Sequence, residues 1–331
     1  MVHMMNKTWY NLLLDVMNKG TRSAPRGQKI VELLNNTIEI DMKYPVVTWS
    51  KRNMGYRFMV AEAAWILSGD NRVNTIAPWS KEISRFSDDG ISFYGAYGPK
   101  FIDQTLYVCK TLMADPDTRQ AVVNIWRENP GPTKDVPCTI NLQFLIRDNK
   151  IHTVANMRSS DCWLGVPYDA FNFTMMTATI MLRLRQLGWD KLELGTLYMN
   201  AGSRHIYERN FKQVKDVLDS SENDVDFTTP AFDPYTFRDS EHLISHLQAL
   251  RDLDDWNRDE EEKKWKCTWC KKSNMTGDPI ETNYLSSQFL QVHIKKHKAQ
   301  ELGFQPTGVQ LKEKKGSNGK GYVISPFTKR Y

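Results

Sequence analysis

The sequence predicts an α+β domain, followed by a small separate module. Three observations carry this. Strand-like segments fall on both sides of a continuous apolar, Met-rich stretch at Tyr168–Leu187. The 331 residues are 40% hydrophobic and 25% charged, with 10 Trp, 14 Phe and 13 Tyr, enough for a sizeable core and too apolar for a disordered chain. Near Asp252 the composition shifts abruptly to a charged connector, DLDDWNRDEEEKKWK.

Taken in order, residues 7–18 form an amphipathic helix with Trp9, Leu12, Leu13 and Val16 on one face. GTRSAPRGQK is a turn-rich basic loop, and short strands are expected at Ile38–Ile40 and Tyr44–Thr48. Tyr56–Leu67 is an apolar helix stopped by Ser68-Gly69-Asp70. Thr118–Trp126 and Ile140–Arg147 read as strands, and Lys150–Met157 pairs with the second through a turn at Asp148-Asn149. Tyr168–Leu187 is a buried helix and Lys191–Leu197 a further strand; there is no internal repeat. The domains are therefore 1–255, a small unit at 256–300 and a basic tail at 301–331.

No apolar run approaches 18 residues, which excludes a membrane span. The segment MVHMMNKTWYNLLLDVM lacks a basic region followed by a long apolar stretch, so no secretory signal is expected. Five Cys in a chain this long do not make a disulfide framework, and a reducing cytoplasm is the expected location. The net charge of +5, from 44 basic and 39 acidic residues, suits an anionic small substrate as well as nucleic acid. Its distribution is uneven: 216–262 is acidic, whereas 291–331 holds nine Lys or Arg against Glu301 and Glu313.

The segment richest in chemistry is DVPCTINLQFLIRDNKIHTVANMRSSDCWLGVPYDAFNF. Cys138 follows a Pro at the entry to a strand, with Arg119 and Arg158 expected on neighbouring elements. A thiol beside guanidinium groups loses its proton more readily and becomes a nucleophile. On residue type and spacing alone, a buried structural Cys is the commoner reading.

Further residues extend the pattern. Gln143 and Arg158-Ser159-x-Asp161-x-x-x-Gly165 precede the long helix; Glu62 and Trp65 lie in VAEAAWILSGD, Tyr97-Gly98 in FYGAYGPKF, and Arg119 in DPDTRQAVVNIW; Gly202-Ser203-x-His205-x-Tyr207 closes the series. This ordered set, over about residues 20–215, resembles the thymidylate synthase superfamily. Within it the chain is most similar to the phage deoxycytidylate (dCMP) hydroxymethylases: Thr139 stands where a His usually follows the Cys, and Asp169 in LGVPYDAFNF stands where ordinary synthases carry Asn. The implied fold is a mixed sheet around a long buried helix.

The resemblance also implies roles. Cys138 adds to C6 of a pyrimidine nucleotide, which makes C5 nucleophilic toward the one-carbon unit of 5,10-methylenetetrahydrofolate. Glu62 is the general acid/base that organises active-site water. Arg119, Arg158 and Ser159 hold the phosphate together with Arg22 or Arg26, the RG at 26–27 favouring Arg26. His205 and Tyr207 hold the 3′-hydroxyl, Asp161 the folate ring, with Gly165 and Trp65 beside it. A homodimer lending Arg119 to its neighbour's phosphate is expected. Asp169 answers cytosine, whose N4 donates and whose N3 accepts; on residue type it would instead cap the helix start. Water addition at the C5 methylene gives 5-hydroxymethyl-dCMP. The alternatives are a 5-methyl-dCMP synthase, a dUMP-directed enzyme, and a nucleic-acid-binding protein on an inactive scaffold. Gln120 departs from the family, where a second Arg is common.

The 256–300 unit contains Cys267-x2-Cys270 and His293-x3-His297, with Tyr284 and Leu290 at positions similar to those of a C2H2 zinc finger. The 22 residues between Cys270 and His293 exceed the common spacing and imply an enlarged loop. A structural zinc on these four residues is expected, as a staple or a protein or DNA contact.

Overall fold

A computed structural model describes residues 4–220 and 231–252. The expected zinc ligands Cys267, Cys270, His293 and His297, and the boundaries of the modules at 256–300 and 301–331, lie outside these residues.

The helix expected near the N-terminus is α1 (Met4–Lys19), with Trp9, Leu13 and Val16 fully buried. Strands β1 (Thr21–Ser23) and β2 (Ile30–Asp41) flank the basic loop. Helix α2 (Tyr56–Leu67) ends at Gly69, whose φ of 69° only Gly adopts without strain. A short α3 (Val73–Ile76) leads to α4 (Tyr97–Ala114), and β3 (Val122–Asn124), β4 (Thr139–Arg147) and β5 (Lys150–Asp161) follow. The turn between β4 and β5 has Asp148 at φ 51° and Asn149 at φ 57°, the left-handed pair that a two-residue hairpin requires. Then come α5 (Val166–Gln186), β6 (Glu193–Tyr207), α6 (Phe211–Leu218) and α7 (Ser240–Arg251).

Six strands form one sheet in the order β1-β2-β6-β5-β4-β3. All pairings are antiparallel except β5 with β6, which run parallel because α5 carries the chain back between them. The sheet is mixed, as expected. Helix α5 is buried nearly throughout and packs on β5 and β6, while α2 packs on α5.

Three expectations are corrected. Tyr44–Thr48 is not a strand: Pro45 lacks an N–H, and Val46 and Val47 are buried side by side instead of alternating. Of Thr118–Trp126 only Val122–Asn124 is regular strand, with Ala121, Ile125 and Trp126 still bonded to β4; the start is lost because Asp115 turns the chain by accepting the Thr118 and Asp117 N–H groups. The last strand runs on to Tyr207, through Gly202. A Cβ there would stand 3.1 Å from the Arg158 carbonyl, so Gly202 marks close strand approach and not a turn.

Candidate active site

Cys138 sits one residue before β4 and is half-buried, packed against the core but accessible. Arg158 holds it from β5. Its Nε donates to the Pro137 carbonyl (3.0 Å) and Nη2 to the Val136 carbonyl (2.9 Å). The same Nη2 lies 3.8 Å from the Cys138 sulfur, and the Ser159 hydroxyl lies 3.6 Å from it. Arg158 Nη1 donates to Ser159 Oγ at 3.3 Å. The thiol, an exposed guanidinium and a hydroxyl are thus brought together, a donor set suited to an anion.

Thr139 replaces a ring with a hydroxyl, and its Oγ1 donates to the Tyr97 hydroxyl at 3.0 Å. Burial, then the charges of Cys138 and Asp169, push the Tyr97 phenol above its ordinary range. The Tyr97 phenol thus senses the charge of both the thiol and the Asp169 carboxyl.

Glu62 and Asp169 face each other from α2 and α5. Burial pushes Glu62 up to about 7, opposed by a 2.7 Å hydrogen bond from Asn172 Nδ2. Burial, then the Glu62 charge, pushes Asp169 up to about 8, with Arg204 opposing. The helix-cap alternative for Asp169 does not hold: the cap position is Gly165, and no side chain caps it.

Asp161 ends β5 opposite His205. Its Oδ1 accepts from the Trp163 and Leu164 N–H groups (2.8 and 3.0 Å), which leaves Oδ2 for a ligand. Burial raises its pKa and lowers that of His205. His205 is 7% exposed, its Nδ1 has no partner, and its ring meets Tyr207 edge-on at 5.0 Å. Trp65, against Phe93 at the end of α2, also has a buried unpartnered Nε1. Gly165 sits where a Cβ would approach the Asp161 backbone carbonyl at 3.0 Å and Asp169 Oδ2 at 3.3 Å, so the close passage of the chain beside the Asp169 carboxyl favours Gly. The Asp161 carboxylate oxygen can accept from a heterocycle's N–H groups and the Trp65 Nε1–H can donate to one of its acceptors, and a reduced folate carries both kinds of group.

Two expected phosphate ligands are not brought to Cys138. Arg119 is exposed, and its carbonyl accepts from Gln143, four residues into β4, about 13 Å along the strand from Thr139. Arg119 precedes β3, which neighbours β4 as expected but pairs with it farther along, away from Cys138 of the same chain. Arg22 and Arg26 are exposed on β1 and its loop, Arg26 at φ 53°. Among the described residues, neither the Arg26 nor the Arg119 guanidinium is hydrogen-bonded or ion-paired.

Two residues escaped sequence reading. Asn172 lies three positions after Asp169, so helical spacing places it on the same face. Arg204 is fully buried, donating to Ser160 Oγ (2.6 Å) and the Met199 carbonyl (2.7 Å). Strand alternation beside His205 would have marked it as facing the opposite way.

Residues 7–239 match the thymidylate synthase family. The deoxyuridylate hydroxymethyltransferase of Bacillus phage SP01 is 32% identical over 223 residues, 60% of this chain and 56% of that protein. The thymidylate synthase of Francisella philomiragia is 25% identical over 237 residues, 64% of this chain and 84% of that protein. The chain thus spans little more than half the length of the phage relative.

Proposed function

The chain belongs to the thymidylate synthase family, and from that premise we propose that it is a dCMP hydroxymethylase. It transfers a one-carbon unit from 5,10-methylenetetrahydrofolate to C5 of dCMP and adds water to give 5-hydroxymethyl-dCMP. Bound folate supplies the one-carbon unit; Asp161, Gly165 and Trp65 would hold it.

The other steps belong to the chain's own residues. Cys138 adds at C6, oriented by the Arg158 clamp on Val136 and Pro137. Arg158 and Ser159 bind phosphate with Arg26, and with Arg119 from the second subunit of a homodimer. His205 and Tyr207 hold the sugar. Glu62, with a pKa of about 7, is equally ready to give or take a proton at neutral pH.

The observation that carries the choice of cytosine is Asp169, whose carboxyl is held protonated up to about pH 8. A neutral carboxyl accepts from N4 while donating to N3, and N3 of cytosine is basic enough to take the proton. That draws electrons from the ring and eases attack at C6. The same acid could turn its proton to O4 of uracil, a far weaker base. A dUMP-directed hydroxymethylase is therefore the second reading, favoured by the name of the phage relative.

The homodimer is supported by the sheet face away from the core. There Thr37, Asn200, Asn156 and Asn141 form a hydrogen-bonded ladder across four strands (2.8, 3.1 and 2.8 Å). A polar layer of this kind suits packing against a second copy. The 256–300 unit is proposed to bind one structural zinc through Cys267, Cys270, His293 and His297, a soft donor set that suits this metal. It is proposed as a staple or a protein or DNA contact.

Incubation with dCMP and methylenetetrahydrofolate, followed by mass analysis, tests the function. A gain of one hydroxymethyl group is expected. A methyl product would assign a 5-methyl-dCMP synthase, and turnover of dUMP alone the second reading. Nucleic-acid binding with no turnover of either would return the inactive-scaffold alternative.

A further inference from the structure

We infer that Asn172 is the positioning residue that holds Glu62 in place both with and without its proton. This rests on the reading of Glu62 as the acid–base group.

A carboxyl that alternately gives and takes a proton must keep one position through both states. A partner that only donates holds the carboxylate and repels the acid; one that only accepts does the reverse. An amide carries both functions on one planar group. Asn172 reaches Glu62 from the adjoining helix, its Nδ2 donating to Oε2 at 2.7 Å. It is 4% exposed and rigidly placed in α5, one turn beyond Asp169.

Its other end is the telling feature. Asn172 Oδ1 is buried and has no hydrogen-bond partner. A second bond there would fix the amide in one orientation and so favour one protonation state of Glu62. Without it, a half-turn of the amide replaces a donor by an acceptor at the same point: Nδ2–H toward the carboxylate, Oδ1 toward the acid. The acid thus keeps a partner after the turn, while the bond from Nδ2–H to the charged carboxylate is the stronger of the two, so Asn172 holds both states and leans toward the carboxylate.

The surrounding charges leave this role to Asn172. The titratable group facing Glu62 from α5 is Asp169. From α4, Tyr97 lies in the field of Asp169 and Cys138. On α2 itself Arg57 is directed to the Arg251 carbonyl and the face of Trp79. Arg251 of α7 pairs with Asp252, and beside α3 Arg72 pairs with Asp70.

The test uses the full-length protein and two readouts. Carbon-13 NMR of labelled Glu, assigned with Glu62→Gln, follows the Glu62 titration; dCMP turnover against pH follows its use. In Asn172→Leu, loss of the donor to the carboxylate should weaken the Glu62 acid about tenfold, with the rate limb moving equally. Asn172→Ala carries the same expectation should the Leu form not fold. An unmoved Glu62 midpoint in the folded variant would overturn the inference. A midpoint that moves while the rate limb stays would instead refute Glu62 as the acid–base group, and with it the catalytic meaning of the pairing.

Discussion

Arg158 approaches the sulfur of Cys138 to 3.8 Å with the same guanidinium that binds the carbonyls of Val136 and Pro137. One side chain thus fixes the segment that delivers the thiol and lines the place where an anion would sit. Cys138→Ser keeps this clamp and removes the sulfur. It should lower turnover by at least about a thousandfold while nucleotide binding persists. Release of tritium from C5-labelled dCMP at the wild-type rate would remove Cys138 from the reaction.

Arg119 is exposed, far along β4 from the thiol of its own chain. If it completes the neighbour's site, Arg119→Ala and Cys138→Ser are each inactive, and mixing them restores about a quarter of the activity through heterodimers. Sedimentation should show a dimer. An active monomer, or no complementation after subunit exchange, would contradict the shared site.

Glu62 and Asp169 are raised from ordinary carboxylate values to about 7 and about 8. Groups shifted upward stabilise the fold while protonated. Their contribution is complete below about pH 4 and is lost as pH climbs through these values. Asp169→Asn should therefore match wild type in Tm near pH 4 and exceed it by several degrees at pH 8. Thermal melts across this range check it; a difference that does not change with pH would count against the buried acid.

The helices at residues 7–18, 56–67 and 168–187 were legible because long apolar periodicity dominates local choices, and the 148–149 hairpin because its turn residues are diagnostic. Residues 198–207 were not read as strand, since a Gly inside a strand weakens its pattern, and the Arg158 carbonyl that explains Gly202 lies on a distant segment. Arg158 was expected near Cys138 because the two lie on neighbouring elements, whereas Ser159 joined them only through the family resemblance. Asn172 and Arg204 were missed because their importance arises from packing between elements distant in sequence: α5 against α2, and β6 against β5.

The Cys267, Cys270, His293 and His297 spacing predicts one zinc per chain. Elemental analysis should find one equivalent, and Cys270→Ser should lose it and raise protease cleavage within 260–300, since ligand binding and folding of so small a unit are coupled. A metal-free protein with unchanged cleavage would exclude the site.

The central claim is that Asp169 reads cytosine. Leaving a buried donor or acceptor unmatched costs about 1–3 kcal/mol, about 5- to 150-fold in rate constant. The decisive measurement is the ratio of kcat/KM for dCMP to that for dUMP, in wild type and in Asp169→Asn. Wild type should favour dCMP, and the Asn variant, offering a fixed NH2 to O4 and a C=O to N3–H, should shift the ratio toward dUMP by that factor. Equal ratios in the two proteins would contradict the account.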